Sequence, residues 1–353
     1  MYFGALSAAL FVLLAPANTV QATNYTDVDI LNFALNLECL EAEFYSWIAN
    51  GKGIYSVDSS LVGTNSSLTA TSSGGEAVAT GFTGTTTSFD PDSIAVGLAT
   101  EIAANEIAHV KFLRAALTEA GATAVACPAL SISPATFTAA ATAAATAAGL
   151  TLASGSSFDP YSTAGAFFLG AFLFEDVGVT AYHGAIANLQ TPAYASAAAG
   201  IMAIEAGHAA VIREQLFLIA GDDVPGLTTS AGAVITFQSA VDAIATLRDS
   251  VDGFNSTTSQ ENNLETSASG PLLFASDSNA IAYTRTPSQV LDIVYLGSYT
   301  TPGGFLPDGA TGNSDVLQIT AASSKTCSSG ALSMASMSLV SVVVMAAAAV
   351  FAM

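Results

Sequence analysis

Two of the three histidines in this 353-residue chain follow a glutamate by three positions, as Glu106/His109 and Glu205/His208. Three residues of α-helix turn through about 300°, so the two side chains of each pair leave the same face and can close on one metal ion. Glutamate is scarce, at 12 of 353 residues. Two of three histidines would gain a Glu at that spacing by chance with a probability of about 0.003. Each pair therefore reads as half of a metal site.

A site for two metals needs further carboxylates, and helical bundles supply them as one Glu from each of two helices plus a Glu-x-x-His from each of the other two. Glu38 lies in LNLECLEAEFY and Glu175 in FLFEDVGVTAYHG, each followed seven residues later by a tyrosine, Tyr45 or Tyr182, two turns along the same face. A Glu helix followed by a Glu-x-x-His helix thus occurs twice, which marks an internal duplication. The candidate metal ligands are Glu38, Glu106, His109, Glu175, Glu205 and His208, supported by Glu41, Tyr45 and Tyr182; Glu41 is also placed to supplement or replace Glu38. Mixed carboxylate and imidazole ligands suit iron or manganese. The competing reading is a metal-free polar core in which each buried Glu bonds to its own His. Against it stands the cost of gathering carboxylates away from water unless protons or cations neutralise them. His183 reads as a surface or structural histidine, and Asp176 and Glu101 as solvated or capping residues.

The elements that must carry these residues are all helical. A first helix is expected over residues 27–49, followed by a Ser/Thr/Gly-rich stretch, 51–92, too polar to pack. Pro91 opens a second helix that Gly121 ends near 120, with Ile102, His109, Phe112 and Leu113 on the buried side beside Glu106. Ser133-Pro134 starts an Ala/Thr-rich helix, ending at Gly149, that lies on the surface as part of the crossover. The third helix starts at Asp159-Pro160 and is separated from the fourth by Thr191-Pro192. The fourth ends near Gly221, and a fifth runs over 230–251. Beyond Gly253 the chain is irregular, with at most a short helix around 288–295, and is expected to pack over the bundle. Cys39 and Cys127 are either bonded to each other or free.

Two early stretches, DVDILNFALNLECLEAEFY and EIAANEIAHVKFL, and two late ones, RTPSQVLDIVYLG and PGGFLPDGATGNS, resemble the ferritin-like family, and more closely its desiccation-related and stress-response branch in plants, fungi and bacteria. The resemblance implies an all-α, ferritin-like four-helix bundle over 23–252 with an extra helix, and an irregular C-terminal extension over 253–328. It also implies a carboxylate-bridged di-iron or di-manganese centre that oxidises ferrous iron or consumes peroxide. The contrasting reading is a non-catalytic, protective cell-surface protein that keeps the fold without turnover. The insertions and the extension favour a monomer or small oligomer over a hollow cage.

Both ends read as processing signals. An apolar run followed by Val20-Gln21-Ala22 fits a signal peptide over 1–22, although no basic residue precedes it. A small triplet, Ser328-Ser329-Gly330, a short spacer and fifteen apolar or small residues that close the chain fit a glycosylphosphatidylinositol (GPI) attachment signal over 329–353. Sequons at Asn24, Asn65 and Asn255 agree with a glycoprotein that is secreted to the cell surface or cell wall and anchored to the plasma membrane by lipid. A net charge of −21, with seven Lys plus Arg, makes nucleic acid an unsuitable partner and metal cations a suitable one.

Overall fold

The computed structural model describes residues 25–68, 94–253, 259, 261–264 and 272–312. The leader, residues 69–93, the sequons at Asn24 and Asn255, the attachment site and the apolar tail lie outside the described residues. Among the described residues the architecture is all-α apart from one small hairpin. Four long helical segments make the bundle: α1 (Asp27–Asn50), α3 (Ile94–Glu119), the pair α5 (Ala164–Phe172) and α6 (Glu175–Ile186), and α7 (Pro192–Leu218). The other elements are α2 (Ile54–Val57), α4 (Pro134–Ala147), the strands β1 (Asp223–Thr228) and β2 (Val234–Thr236), α8 (Phe237–Val251) and α9 (Pro287–Val294).

Local chemistry sets the ends of these helices. Thr26 and Asp29 form a reciprocal capping box at the start of α1, and Gly51, at φ +65°, closes it in the left-handed conformation that glycine adopts at little cost. The Asp27 carboxylate accepts from the backbone N–H groups of Gln190 and Thr191, fastening the α6–α7 turn to the start of α1. Antiparallel register across the bundle is thus fixed at that end.

The core is aromatic at the other end. Phe137 lies 5.5 Å from Phe44 and 5.1 Å from Phe305, and Phe305 lies 5.0 Å from Phe174, measured between ring centroids. This cluster draws α1, α4, the α5–α6 junction and the C-terminal extension onto one another. Each ring interaction contributes roughly 0.5–1.5 kcal/mol beyond its burial. The crossover helix α4 is therefore not a surface helix: Phe137, Ala140, Ala144 and Ala145 are buried, because one bulky residue among alanines is enough to anchor a face.

The structure departs from the sequence expectations at four further places. The third helix is broken after Phe172, and the fifth starts at Phe237, since residues 234–236 pair with β1 instead. The first part of the Ser/Thr/Gly-rich stretch does pack, through buried Ile54, Leu61, Val62 and Leu68, which its polar composition concealed. Phe112 is 41% exposed, since six residues from Glu106 place it about 120° round the helix. Of the two states open to Cys39 and Cys127, the structure has the bonded one, a disulfide with Cα atoms 5.7 Å apart.

Candidate metal centre

The break between α5 and α6 has an identifiable cause. Leu173 and Phe174 donate to Gly170 and Ala171, a tightened turn, and the Phe172 carbonyl accepts instead from Arg248 Nη1 at 2.9 Å. Arg248 also stacks over the Phe172 ring, 4.5 Å from its centroid. The new helix then begins at Glu175, so the kink sets where that carboxylate enters the bundle.

A buried ion network holds this arrangement. Asp176 receives Arg213 Nε and Nη2 at 2.9 and 2.7 Å and Arg248 Nη2 at 3.1 Å. Arg248 reaches on to Glu261, and Arg285 pairs with Glu261 at 2.7 Å and with Asp252 at 2.8 Å. Burial works to raise the Asp176 pKa, yet Arg213 and Arg248 hold it below the ordinary value. Asp176 is thus a buried ion-pair centre rather than a solvated or capping residue. Its partners sit 37 and 72 residues away, beyond the reach of helix periodicity.

All six candidate ligands converge between the helices. They form two overlapping groups, Glu38, Glu106, His109 and Glu205, and Glu106, Glu175, Glu205 and His208, each with ligand atoms within 4.8 Å of one another. Glu106 and Glu205 belong to both, as shared carboxylates between two ions would. His109 Nδ1 lies 3.2 Å from Glu38 Oε2, 3.2 Å from Glu106 Oε2 and 3.5 Å from Glu205 Oε1. His208 Nδ1 lies 3.1 Å from Glu106 Oε1 and 3.2 Å from Glu175 Oε2. One ring nitrogen carries at most one proton, so two or three carboxylates around it can share only a single, divided hydrogen bond. Neighbouring ligands of a small octahedral divalent ion bound at about 2.1 Å stand about 3.0 Å apart, close to these separations.

The supporting residues act across the bundle. Tyr45 of α1 donates its hydroxyl to Glu175 of α6, and Tyr182 of α6 donates to Glu38 of α1. Each tyrosine therefore serves the other half's glutamate rather than its own. Glu41 is buried but belongs to neither ligand group; its carboxylate lies near Gly178. Asn105 bonds to His208 Nε2 at 3.1 Å, fixing the ring so that Nδ1 faces the carboxylates. His183 contacts the Tyr283 carbonyl at 3.0 Å, away from the site, and Glu101 is exposed.

Two residues that shape the site were not anticipated. A Cβ on Gly178 would fall 2.3 Å from Glu205 Oε2, so only glycine there leaves room for that carboxylate. Aligning the two halves exposes the signal, since Gly178 stands where the first half has Glu41. Asn105 carries no comparable signal.

The electrostatics demand neutralisation. Burial, and then neighbouring carboxylates, push Glu41, Glu106 and Glu205 well above the usual carboxylate range. Burial acts in the same direction on Glu38, but His109, with hydrogen bonds from Glu106 and Tyr182, holds it lower. Burial opposes protonation of His208, and the Glu175 charge raises its pKa nonetheless. Glu106 Oε1 and both oxygens of Glu205 are buried without a hydrogen bond of good geometry, the nearest nitrogens being His208 Nδ1, 3.1 Å from Glu106 Oε1, and His109 Nδ1, 3.5 Å from Glu205 Oε1. Unpartnered buried oxygens are costly, and here they belong to the two residues shared by both groups. The donor set fits a pair of metal ions.

Comparison with known proteins agrees with the helical fold. A family model described as the ferritin-like domain matches residues 26–218, from the start of α1 to the end of α7. The desiccation-related protein PCC13-62 of Craterostigma plantagineum is 31% identical over 298 residues, 83% of this chain and 85% of that protein. The ferritin-like catalase Nec2 of Nesocodon mauritianus is 28% identical over 302 residues, 84% of this chain and 88% of that protein. No solved structure matches the chain. The protein belongs to the ferritin-like family, in its desiccation-related branch.

Proposed function

We propose that the chain binds two iron or manganese ions between Glu106 and Glu205 and consumes peroxide, in a stress-protective role. The observation that carries the metal reading is the set of unpartnered oxygens on Glu106 and Glu205, buried between two histidine nitrogens that face them. Glu38 with His109, and Glu175 with His208, would complete the two ends. Bound there, a pair of such metals supplies two-electron exchange with peroxide. The protein's part is to hold the donors in place: Tyr45 and Tyr182 occupy the outer oxygens of Glu175 and Glu38, leaving the inner oxygens to face the centre. Any protons held by Glu106 and Glu205 would be released as metal enters. The similarity to a protein named as a catalase supports peroxide over other oxidants.

Metal analysis of protein purified without chelator tests this reading. Reconstitution should give two ions per chain, His109→Ala and His208→Ala should each lower the content, and His183→Ala should leave it unchanged. The loaded protein should evolve dioxygen from hydrogen peroxide. If the wild type takes up no metal, or the three histidine variants load alike, the cluster is a polar core and the protein protects without turnover. Full loading with no oxygen evolution removes the peroxide reading alone.

The same proposal includes secretion and a lipid anchor. The Cys39–Cys127 disulfide supports passage through an oxidising compartment, and Asn65, exposed in a turn at φ +64°, is accessible to glycosylation. Phosphatidylinositol-specific phospholipase should then release the protein from cells. Retention after treatment would point to a membrane-spanning tail.

A further inference from the structure

Beside the metal centre, between α1 and α6, lies a cavity of about 60 Å³, room for a few water-sized molecules. Its walls are hydrocarbon: Leu37 and Ala34 from α1, Ala181 and Ala185 from α6, Ile201 from α7 and Val290 from α9. Its inner end is formed by Glu41, Gly178 and Tyr182. These touch the site directly, since Gly178 faces Glu205 and Tyr182 bonds to Glu38. Its lining also includes Tyr194 and Phe112, and Phe112 is open to solvent. Arg285, the one basic residue in the lining, is already neutralised by Asp252 and Glu261.

We infer that this cavity is the passage by which a small uncharged oxidant, hydrogen peroxide or dioxygen, reaches the shared carboxylates, and that it is closed to metal cations. The inference rests on the di-metal reading above and adds the substrate class. A cation crossing these walls would shed its water against hydrocarbon before meeting any carboxylate, at a cost of several kcal/mol or more. Dioxygen sheds little; hydrogen peroxide gives up the hydrogen bonds of two hydroxyls, at roughly a few kcal/mol, but has no charge to desolvate. Metal must therefore enter the centre elsewhere, and the chain separates the route of its metal from that of its oxidant.

The walls can be narrowed without touching a ligand, by Ala181→Leu on α6 and, independently, Ala34→Leu on α1. Three measurements decide. Xenon, followed by its NMR shift in metal-free protein, should bind the wild type and be lost in both variants, as expected of a small apolar cavity. Ferrous ion uptake should keep its rate and reach two ions per chain in all three proteins. Reaction of the loaded variants with the oxidants should slow by about tenfold or more, an added barrier of about 1.4 kcal/mol. Slowing with both oxidants assigns them a common passage, and slowing with one alone assigns it to that oxidant. Unchanged oxidant rates in both variants, or ferrous uptake that slows in parallel, overturn the inference. A wild type that binds no metal defeats the di-metal reading and is recognised in the uptake measurement alone.

Discussion

Gly178→Ala separates a metal site from a polar core without removing any ligand. The added Cβ would lie 2.3 Å from Glu205 Oε2 and 3.2 Å from its Cδ, where ordinary contact begins at 3.4 Å. The carboxylate must therefore retreat by about 1 Å, whereas ligand distances in a metal site hold to about ±0.2 Å. Glu205 serves both ligand groups, so both ends of the centre are disturbed. Loss of affinity should reach at least the roughly 10–100-fold typical of disturbing a ligand's support. Folding should not suffer. Oε2 is the free end of a flexible side chain, and replacing a helical glycine by alanine is worth about 0.8–1 kcal/mol in helix propensity. Metal-free Gly178→Ala should thus melt at or above the wild-type temperature while binding metal poorly. Gly200→Ala on α7, with nothing within 4 Å of its Cβ, provides the control that gains stability and keeps metal. Competition titration with a coloured chelator and a thermal melt of metal-free protein read both quantities. Wild-type affinity in Gly178→Ala would show that Glu205 does not bind metal.

Two further substitutions test what holds the centre in place. Arg248→Met removes a donor from Asp176, Glu261 and the Phe172 carbonyl at once; breaking a buried ion pair costs about 3–5 kcal/mol, read as a lower urea midpoint. Because Asp176 keeps Arg213 and Glu261 keeps Arg285, the low end of that range is expected, and an unchanged midpoint would refute the network's contribution. Replacing Cys39 and Cys127 by serine opens a cross-link spanning 88 residues and should cost about 4–5 kcal/mol on chain-entropy grounds. The wild type under reductant should reproduce the loss, and equal stability in both states would mean the bridge is not formed.

What the sequence disclosed and what it hid divide by range. Spacing within one helix announces itself, so Glu106/His109 and Glu205/His208 are visible from the turn angle alone, and Glu38 and Glu175 from the repeat. Chain punctuation was also legible at Gly121 and Thr191-Pro192, where a left-handed glycine and a proline at a helix start leave local signatures. The third helix gave no warning of its break, because the cause is Arg248 in a helix 76 residues away. The crossed tyrosines were half legible for the same reason. Their spacing from Glu38 and Glu175 places them near the centre, but which glutamate each one reaches depends on how the helices pack.

The duplication is most informative where it fails. In the first half the residue three beyond the ligand Glu is Glu41; in the second it is Gly178. The two face each other, for Glu41 Oε1 lies 3.4 Å from where a Gly178 Cβ would stand. A carboxylate on one side thus fills part of the space that the other side vacates, and the rest of that space admits Glu205. Two copies of either residue would fail: a pair of glutamates would crowd Glu205 with side chains and charge, and a pair of glycines would leave a larger void. Asn105 breaks the symmetry again, since its counterpart Ile204 cannot bond to a histidine, so the His109 and His208 ends are chemically distinct. Both Glu41 and Gly178 also line the inner end of the apolar cavity. An oxidant arriving there meets an asymmetric centre, with one flank carrying an extra buried carboxyl and the other stripped to backbone.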